Sequence, residues 1–210
     1  MKTDGGPAFR TIVADPPWPS NFGPKWAART DKARPQNRYK TLTVEEICQF
    51  PISRFKTEQA HLYLWCVAQR VDWAYRVADA WGFSPIILLT WVKSGLGVGR
   101  FRCNTEHILV ARCGSRHNNP FGFGGRHTQA TNGTAFNWPR KRHSEKPEMF
   151  YALVEKLSPG PRLELFARVS RPGWIAWGNE IGDPLKIGFN PNLWKEGDAM
   201  LSQEADDDSA

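Results

Sequence analysis

The sequence predicts an α/β fold built on a mainly parallel sheet flanked by helices, and three observations carry that prediction. Short apolar, β-branched runs stop at polar or turn residues, as buried parallel strands do. They alternate with stretches in which apolar residues recur every three or four positions, the period of a helix packed on a sheet. The chain has 210 residues, 40% of them hydrophobic and 12% aromatic, which is enough to close one core.

Taken in order, residues 10–14 (RTIVA) are the first strand, ending at Asp15. Residues 61–66 (HLYLWC) are the second. From 69 to 81 a helix is expected, because Val71, Ala74, Ala78 and Trp81 fall on one face and Gly82 closes it. Residues 84–92 (SPIILLTWV) and 105–113 (TEHILVARC) give two more strands, separated by a Gly-rich loop. A helix then begins at Ser144, with Pro147 in its first turn and Met149, Phe150, Leu153 and Leu157 on its apolar side. Residues 162–167 (RLELFA) and 174–177 (WIAW) complete the strands. The stretches 19–40 and 114–142 lack any period and are expected to be loop insertions.

Charge is unevenly distributed. The net charge of +7 combines an acidic tail over residues 183–210, with seven acids and two bases, and a body of +12. Residues 19–40 carry +5 and residues 93–146 carry +8. Basic loops interleaved with aromatics such as Trp26, Tyr39, Phe121 and Trp138 suit a nucleic acid, which presents phosphates to cations and unstacked bases to flat rings. The balance of charge and the ten Trp exclude a disordered chain, although the tail, ending DDDSA, is expected to be disordered at its end. No apolar run reaches the roughly 18 residues of a membrane span, and the first residues lack a secretory apolar segment, so a cytoplasmic protein is expected. The four Cys then read as reduced thiols. Cys103, His107, Cys113 and His117 have a loosely zinc-like spacing, but 105–113 reads as a strand, and no metal is expected.

The sharpest local feature is Asp15-Pro16-Pro17-Trp18, directly after the first strand. Ligands of open α/β sheets bind at the carboxyl ends of strands. Two prolines stiffen the turn and remove two N–H groups, leaving the Asp15 carboxylate and the Pro16 carbonyl as a rigid pair of acceptors. Such a pair suits the two hydrogens of a nucleobase amine, with Trp18 offering a face for the base. Held there, the weakly nucleophilic N6 of adenine would point its lone pair at a sulfonium methyl, and catalysis would be mostly positioning. A base in a duplex must first be flipped out. A nucleotide triphosphatase is excluded, since no G-x-x-x-x-G-K-[ST] occurs.

I-V-A-D-P-P-W at 12–18, H-L-Y-L-W at 61–65, T-W-V-K at 90–93, T-E-H-I-L-V at 105–110, H-S-E-K-P-E-M-F-Y at 143–151, L-S-P-G-P-R-L-E-L-F-A-R at 157–168 and W-G-N-E at 177–180 together resemble the motif series of the MT-A70 family. These are S-adenosylmethionine-dependent N6-adenine methyltransferases with a Rossmann-like fold. The resemblance implies that Asp15, Pro16, Pro17 and Trp18 are catalytic and that Tyr39 stacks near the target adenine. It implies cofactor contacts by Asp15, Lys146, Arg168, Asn179 and Glu180. It further implies a methyltransferase domain over residues 1–182, acting on DNA, with the same chemistry on RNA or a non-catalytic partner subunit as the alternatives. A homo- or hetero-oligomer is compatible with it. Two departures stand out: only fourteen residues precede Asp15, so the cofactor adenine must be held differently, and Val169-Ser170-Arg171 stands where large relatives carry His-Asn.

Overall fold

A computed structural model describes residues 8–19, 41–95, 102–114, 133–139, 145–178 and 181. Most of both basic insertions and the acidic tail lie outside the described residues. Within them the strands are β1 (Phe9–Ala14), β2 (Lys56–Val67), β3 (Ser84–Val92), β4 (Thr105–Cys113), β5 (Ala135–Phe136), β6 (Arg162–Leu165) and β7 (Trp174–Trp177). The helices are α1 (Val44–Cys48), α2 (Val71–Ala80) and α3 (Glu148–Leu157).

The strands form one mixed sheet in the order β5-β3-β4-β2-β1-β6-β7. β1 pairs in parallel with β2 and β6, β6 with β7, and β3 with β5. β4 runs antiparallel to β2 and β3. The carboxyl ends of β1, β2, β3 and β6 therefore share an edge with the amino end of β4. That inversion matters below, because it delivers residues from the start of a strand to the edge where α/β proteins bind ligands.

Alternation of side chains gives the sheet two apolar faces. Ile12, Ala14, Leu62, Leu64, Leu109, Leu163 and Leu165 pack under Val44 and Ile47 of α1 and Ala74, Val77 and Ala78 of α2. Val13, Tyr63, Trp65, Ile108 and Val110 pack under Phe150, Tyr151 and Val154 of α3. Burying a large apolar side chain contributes about 1.5–3 kcal/mol, so the two clusters dominate stability and fix where each helix sits. Trp81 ties α2 to α1 by donating its indole N–H to the Ile47 carbonyl at 3.0 Å.

Helix ends depart from the sequence expectation for local reasons. α2 begins at Val71 after a single tight turn over Ala68–Arg70, and Gly82 ends it with φ +73°. α3 begins at Glu148 with Pro147 as its cap; Ser144 lies outside the described residues. The strand expected to reach residue 167 stops at Leu165, because Phe166 takes a left-handed φ of 61°. This reversal lets Ala167 N–H donate to the Trp177 carbonyl at 2.9 Å. Its ring is wedged between Phe50 and Trp177.

Candidate active site

The Asp15-Pro16-Pro17-Trp18 turn follows β1 and is pinned at every residue. The Asp15 N–H donates to the Leu165 carbonyl at 3.4 Å, and the Trp18 N–H to the Pro16 carbonyl at 2.8 Å. The Pro17 carbonyl accepts from Leu42 at 2.9 Å, and the Trp18 indole N–H donates to the Trp65 carbonyl at 2.9 Å. With neither proline able to donate, the turn has one way to satisfy its groups, which is what makes it stiff. Two details refine the sequence expectation. The Pro16 carbonyl already accepts one bond and keeps its second lone pair for another donor. Trp18 is 9% exposed with its ring 6.1 Å from that of Trp73, so most of the indole is committed to anchoring the turn in the core.

Lys146, immediately before α3, reaches over this turn. Its Nζ lies 3.1 Å from Asp15 Oδ2 and 2.9 Å from Glu106 Oε2, and 4.6 Å above the Trp65 ring. Glu106 also bonds Lys93 through its other oxygen. The four charges thus alternate along the sheet edge as Asp15, Lys146, Glu106 and Lys93. Side-chain exposure is 12% for Lys146 and 29% for Asp15, so the pair is only partly hydrated. Burial pushes the Asp15 carboxyl above its ordinary range, opposed by Lys146 and reinforced by Glu106. For Lys146, burial works against the ammonium, but Asp15 and Glu106 outweigh it and hold the proton more firmly than usual. Burial likewise opposes the Glu106 carboxylate, and the two lysines overcome it and keep its pKa low.

A second polar cluster sits beside the first on the same face. Val13 pairs with Glu164, so Glu164 and Asp15 project from the side covered by α3. The Tyr151 hydroxyl donates to Glu164 Oε1 at 2.6 Å. Glu164 is 7% exposed, and its Oε2 is buried with no partner among the described residues. The Arg171 guanidinium lies 3.6 Å from the Tyr151 ring centre and pairs with Glu148 at the start of α3, while its Nε is buried without a partner among the described residues. Burial raises Glu164, and the Asp15 charge is felt at both Glu164 and Tyr151.

Of the residues singled out from sequence, Asp15, Pro16, Pro17 and Lys146 meet at one point. Trp18 braces it, and half-buried Arg168 lies close enough for its charge to act on Asp15. Tyr39, Asn179 and Glu180 lie outside the described residues. Sequence reasoning missed Glu106, Lys93, Glu164 and Tyr151, and named Arg171 only within the Val169-Ser170-Arg171 departure. The signal for Glu106 was its place at the start of β4, but only an antiparallel β4 turns that position toward Asp15. Where the W-G-N-E segment begins, a Cβ on Gly178 would meet the Ala167 carbonyl oxygen at 2.0 Å, so the β6 and β7 ends touch backbone to backbone and only glycine fits.

An α/β sheet that gathers its ionisable groups at the carboxyl edge, beside a stiff Asp-Pro turn, is consistent with a Rossmann-like methyltransferase fold. The MT-A70 family model matches residues 9–180, and the chain belongs to the MT-A70 family. It is 27% identical over 192 residues to Type II methyltransferase M.MunI of Mycoplasma sp, covering 83% of this chain and 78% of that one. It is 28% identical over 185 residues to the human N(6)-adenosine-methyltransferase catalytic subunit METTL3, covering 82% of this chain and 28% of that protein. With the human N(6)-adenine-specific methyltransferase METTL4 it shares 25% identity over 190 residues, covering 82% and 37%. The chain thus spans most of the first relative but well under half of the other two. Among the described residues no helix is long and apolar enough to cross a membrane, and no group of three or more His, Cys, Asp or Glu could hold a metal ion.

Proposed function

We propose that the protein transfers a methyl group from S-adenosylmethionine to the exocyclic N6 of adenine in DNA, with the base held at Asp15 and Pro16. The observation that supports this reading is the pinned turn, in which a carboxylate and, on the next residue, a carbonyl with one lone pair to spare are held in place. The donor supplies an electrophilic methyl on a sulfonium that leaves as a neutral thioether. Every other step falls to the chain. Asp15 Oδ and Pro16 O accept the two N6 hydrogens, which localises the nitrogen lone pair and aims it along the line of attack. As Asp15 engages the amine, Lys146 keeps Glu106 as its partner, so the buried ammonium is not left unpaired. The nitrogen bonds the methyl carbon while the carbon–sulfur electron pair returns to sulfur. The extra N6 proton then passes to Asp15, whose raised pKa suits it to accept, or to water.

On the donor side, Lys146 and Arg168 supply cations for a carboxylate and a ribose, with Asn179 and Glu180 as further partners. The fit is supported by Glu164 Oε2 and Arg171 Nε, buried polar atoms near Asp15 that lack partners among the described residues. A nucleic-acid substrate is supported by the +12 body, and DNA rather than RNA by the match, over 78% of its length, to a type II methyltransferase. The match to an N(6)-adenosine-methyltransferase subunit keeps RNA as the second reading. A flipped base, loop contacts from Tyr39, work in the cytoplasm and assembly with a further copy or a second chain belong to the same proposal. The test is turnover of methyl-labelled cofactor on matched DNA and RNA oligonucleotides, single- and double-stranded, followed by nucleoside analysis. N6-methyladenine in DNA in preference to RNA is the expected product; label in RNA alone would reverse the substrate, and cofactor binding without label in either would remove the catalytic reading.

A further inference from the structure

We propose that Lys93 is a positioning residue for the reaction: through Glu106 it keeps Lys146 over Asp15, and so takes part in methyl transfer without touching either reactant. The inference rests on the reading of Asp15 given above, as the group that meets the adenine amine. Three observations lead here. First, Lys93 directly follows β3, shares a face with Trp91 two residues before it, and donates its N–H to the Asn104 carbonyl at 2.7 Å. Trp91 and Glu106 pair across β3 and β4, so the Lys93 stem folds back over the Trp91 ring, with Nζ 5.3 Å from its centre, and the ammonium bonds Glu106 Oε1. Second, the other Glu106 oxygen holds Lys146 at 2.9 Å, and Lys146 reaches Asp15 Oδ2 at 3.1 Å. Third, the two ammonium groups stand on one aromatic floor. Lys146 lies 4.6 Å from the Trp65 ring centre, and the Trp65 and Trp91 indoles meet edge to face at 6.0 Å.

The four charges on that floor alternate in sign and cancel. Side-chain exposure is 22% for Lys93 and 24% for Glu106, so water screens the line only in part. Without Lys93, Lys146 is the one cation left between two carboxylates that compete for it. Burial opposes the Glu106 carboxylate, and Lys146 and Lys93 together keep it ionised. Burial raises Asp15, Lys146 opposes that, and the Glu106 charge adds to it. A Glu106 stripped of Lys93 therefore draws Lys146 toward itself and makes Asp15 harder to ionise. Asp15 accepts the N6 hydrogens as a carboxylate, so the consequence falls on the acidic limb of turnover. Among the described residues, the groups that face Asp15 are Lys146 ahead of α3, Glu106 on β4, Arg168 after β6, Glu164 on β6, Tyr151 on α3 and Cys66 on β2. Burial pushes the Cys66 thiol up to about 12 and raises the Tyr151 phenol as well, so neither loses a proton in acid. Burial also raises Glu164, the one neighbour whose titration has to be told apart from that of Asp15.

Carboxyl titration followed by nuclear magnetic resonance tests this without reference to turnover. In the full chain, isotope-labelled at its Asp and Glu carboxyl carbons, the Asp15 signal is the one missing from Asp15→Asn. Its midpoint should rise by roughly half a pH unit to one pH unit in Lys93→Met, which keeps the stem over Trp91 and removes the charge. Lys93→Arg restores the charge and should return the midpoint to the wild-type value. The acidic limb of kcat/KM for methyl transfer, which reports the free enzyme, should move by the same amount in Lys93→Met and return in Lys93→Arg. An unmoved midpoint in Lys93→Met, or an equal rise in Lys93→Arg, overturns the proposal. A direct phosphate contact by Lys93 would instead lower the salt slope of oligonucleotide binding by about one and leave the midpoint in place, which overturns it too. Thermal melts check folding, and Lys93→Gln replaces Lys93→Met if that variant does not fold. If wild type labels no nucleic acid, the methyl-transfer reading of Asp15 falls, and the midpoints still decide whether Lys93 acts on Asp15.

Discussion

Replacing Lys146 with Met should expose how the site is held together. The ammonium sits between two carboxylate oxygens at 3.1 and 2.9 Å. At an effective dielectric of ~20 each contact is worth about 5 kcal/mol before desolvation, and much of that is spent in stripping water from the three groups. Met keeps the aliphatic stem over Trp65 but leaves Asp15 and Glu106 facing one another. Their oxygens share one nitrogen and so lie within about 6 Å, a repulsion of about 3 kcal/mol at the same dielectric. Removing one member of such a group costs about 3–5 kcal/mol while both carboxylates are charged. The Asp15 pKa is already raised by burial, and losing the opposing Lys146 raises it further. A carboxyl whose folded pKa exceeds its unfolded value gains stability as pH falls, so protonation relieves the variant in acid. Lys146 itself, with a pKa raised above a value already near ~10.4, contributes evenly from pH 5 to 8 in wild type. Urea denaturation of both proteins should therefore show a deficit of about 3–5 kcal/mol at pH 8 and less than about half of it at pH 5. A deficit below ~1 kcal/mol at pH 8, or one equal at both pH values, would refute the argument that burial and mutual repulsion govern this pair.

Other substitutions probe separate links. Gly178→Ala puts a Cβ against the Ala167 carbonyl, and S-adenosylhomocysteine affinity measured by calorimetry should fall at least ~10-fold if the β6 and β7 ends hold the donor; unchanged affinity contradicts that. Trp18→Phe removes the indole donor from the Trp65 carbonyl and should cost about 1–3 kcal/mol in urea while a folded domain remains, whereas an effect under ~0.5 kcal/mol means the anchor is idle. His61 is buried at the Ser158 hydroxyl and pushed down to about 4 by burial, with Arg112 and Arg10 adding. A lowered histidine keeps the fold stable above its unfolded pKa of ~6.5 and withdraws stability as pH drops toward 4, at up to ~1.4 kcal/mol per unit. His61→Asn should flatten that slope between pH 6.5 and 4.5 relative to wild type, and an unaltered slope would assign the loss to other groups.

What the sequence made legible follows from the range of each interaction. The strands and α2 were readable because burial on one face imposes a period that survives in one dimension. Thr43 and Glu46 form a reciprocal cap that starts α1, a signal present in T-V-E-E but short enough to pass unread. Asp15 could be found because two prolines beside a carboxylate are unusual wherever they occur. Lys146 and Arg168 came from resemblance, as single charged residues carry no pattern of their own. Glu106 and Glu164 stayed hidden for a different reason. Their significance comes from strand direction and from what α3 leaves uncovered, and neither is encoded locally. Trp18 was expected to present its face to a base, and its indole N–H turns out to be bonded to the main chain of β2.

The central claim is that Asp15, held in its turn, positions an adenine amine for methyl transfer. The most direct measurement is nucleoside analysis of an adenine-containing DNA oligonucleotide after incubation with methyl-labelled S-adenosylmethionine, for wild type beside Asp15→Asn. An amide loses one acceptor and the proton sink while keeping the shape. Label in N6-methyladenine with wild type, and a fall of ~100-fold or more with the variant at saturating S-adenosylmethionine, is the predicted result. Equal labelling by both proteins, or label on any base other than adenine, would contradict it.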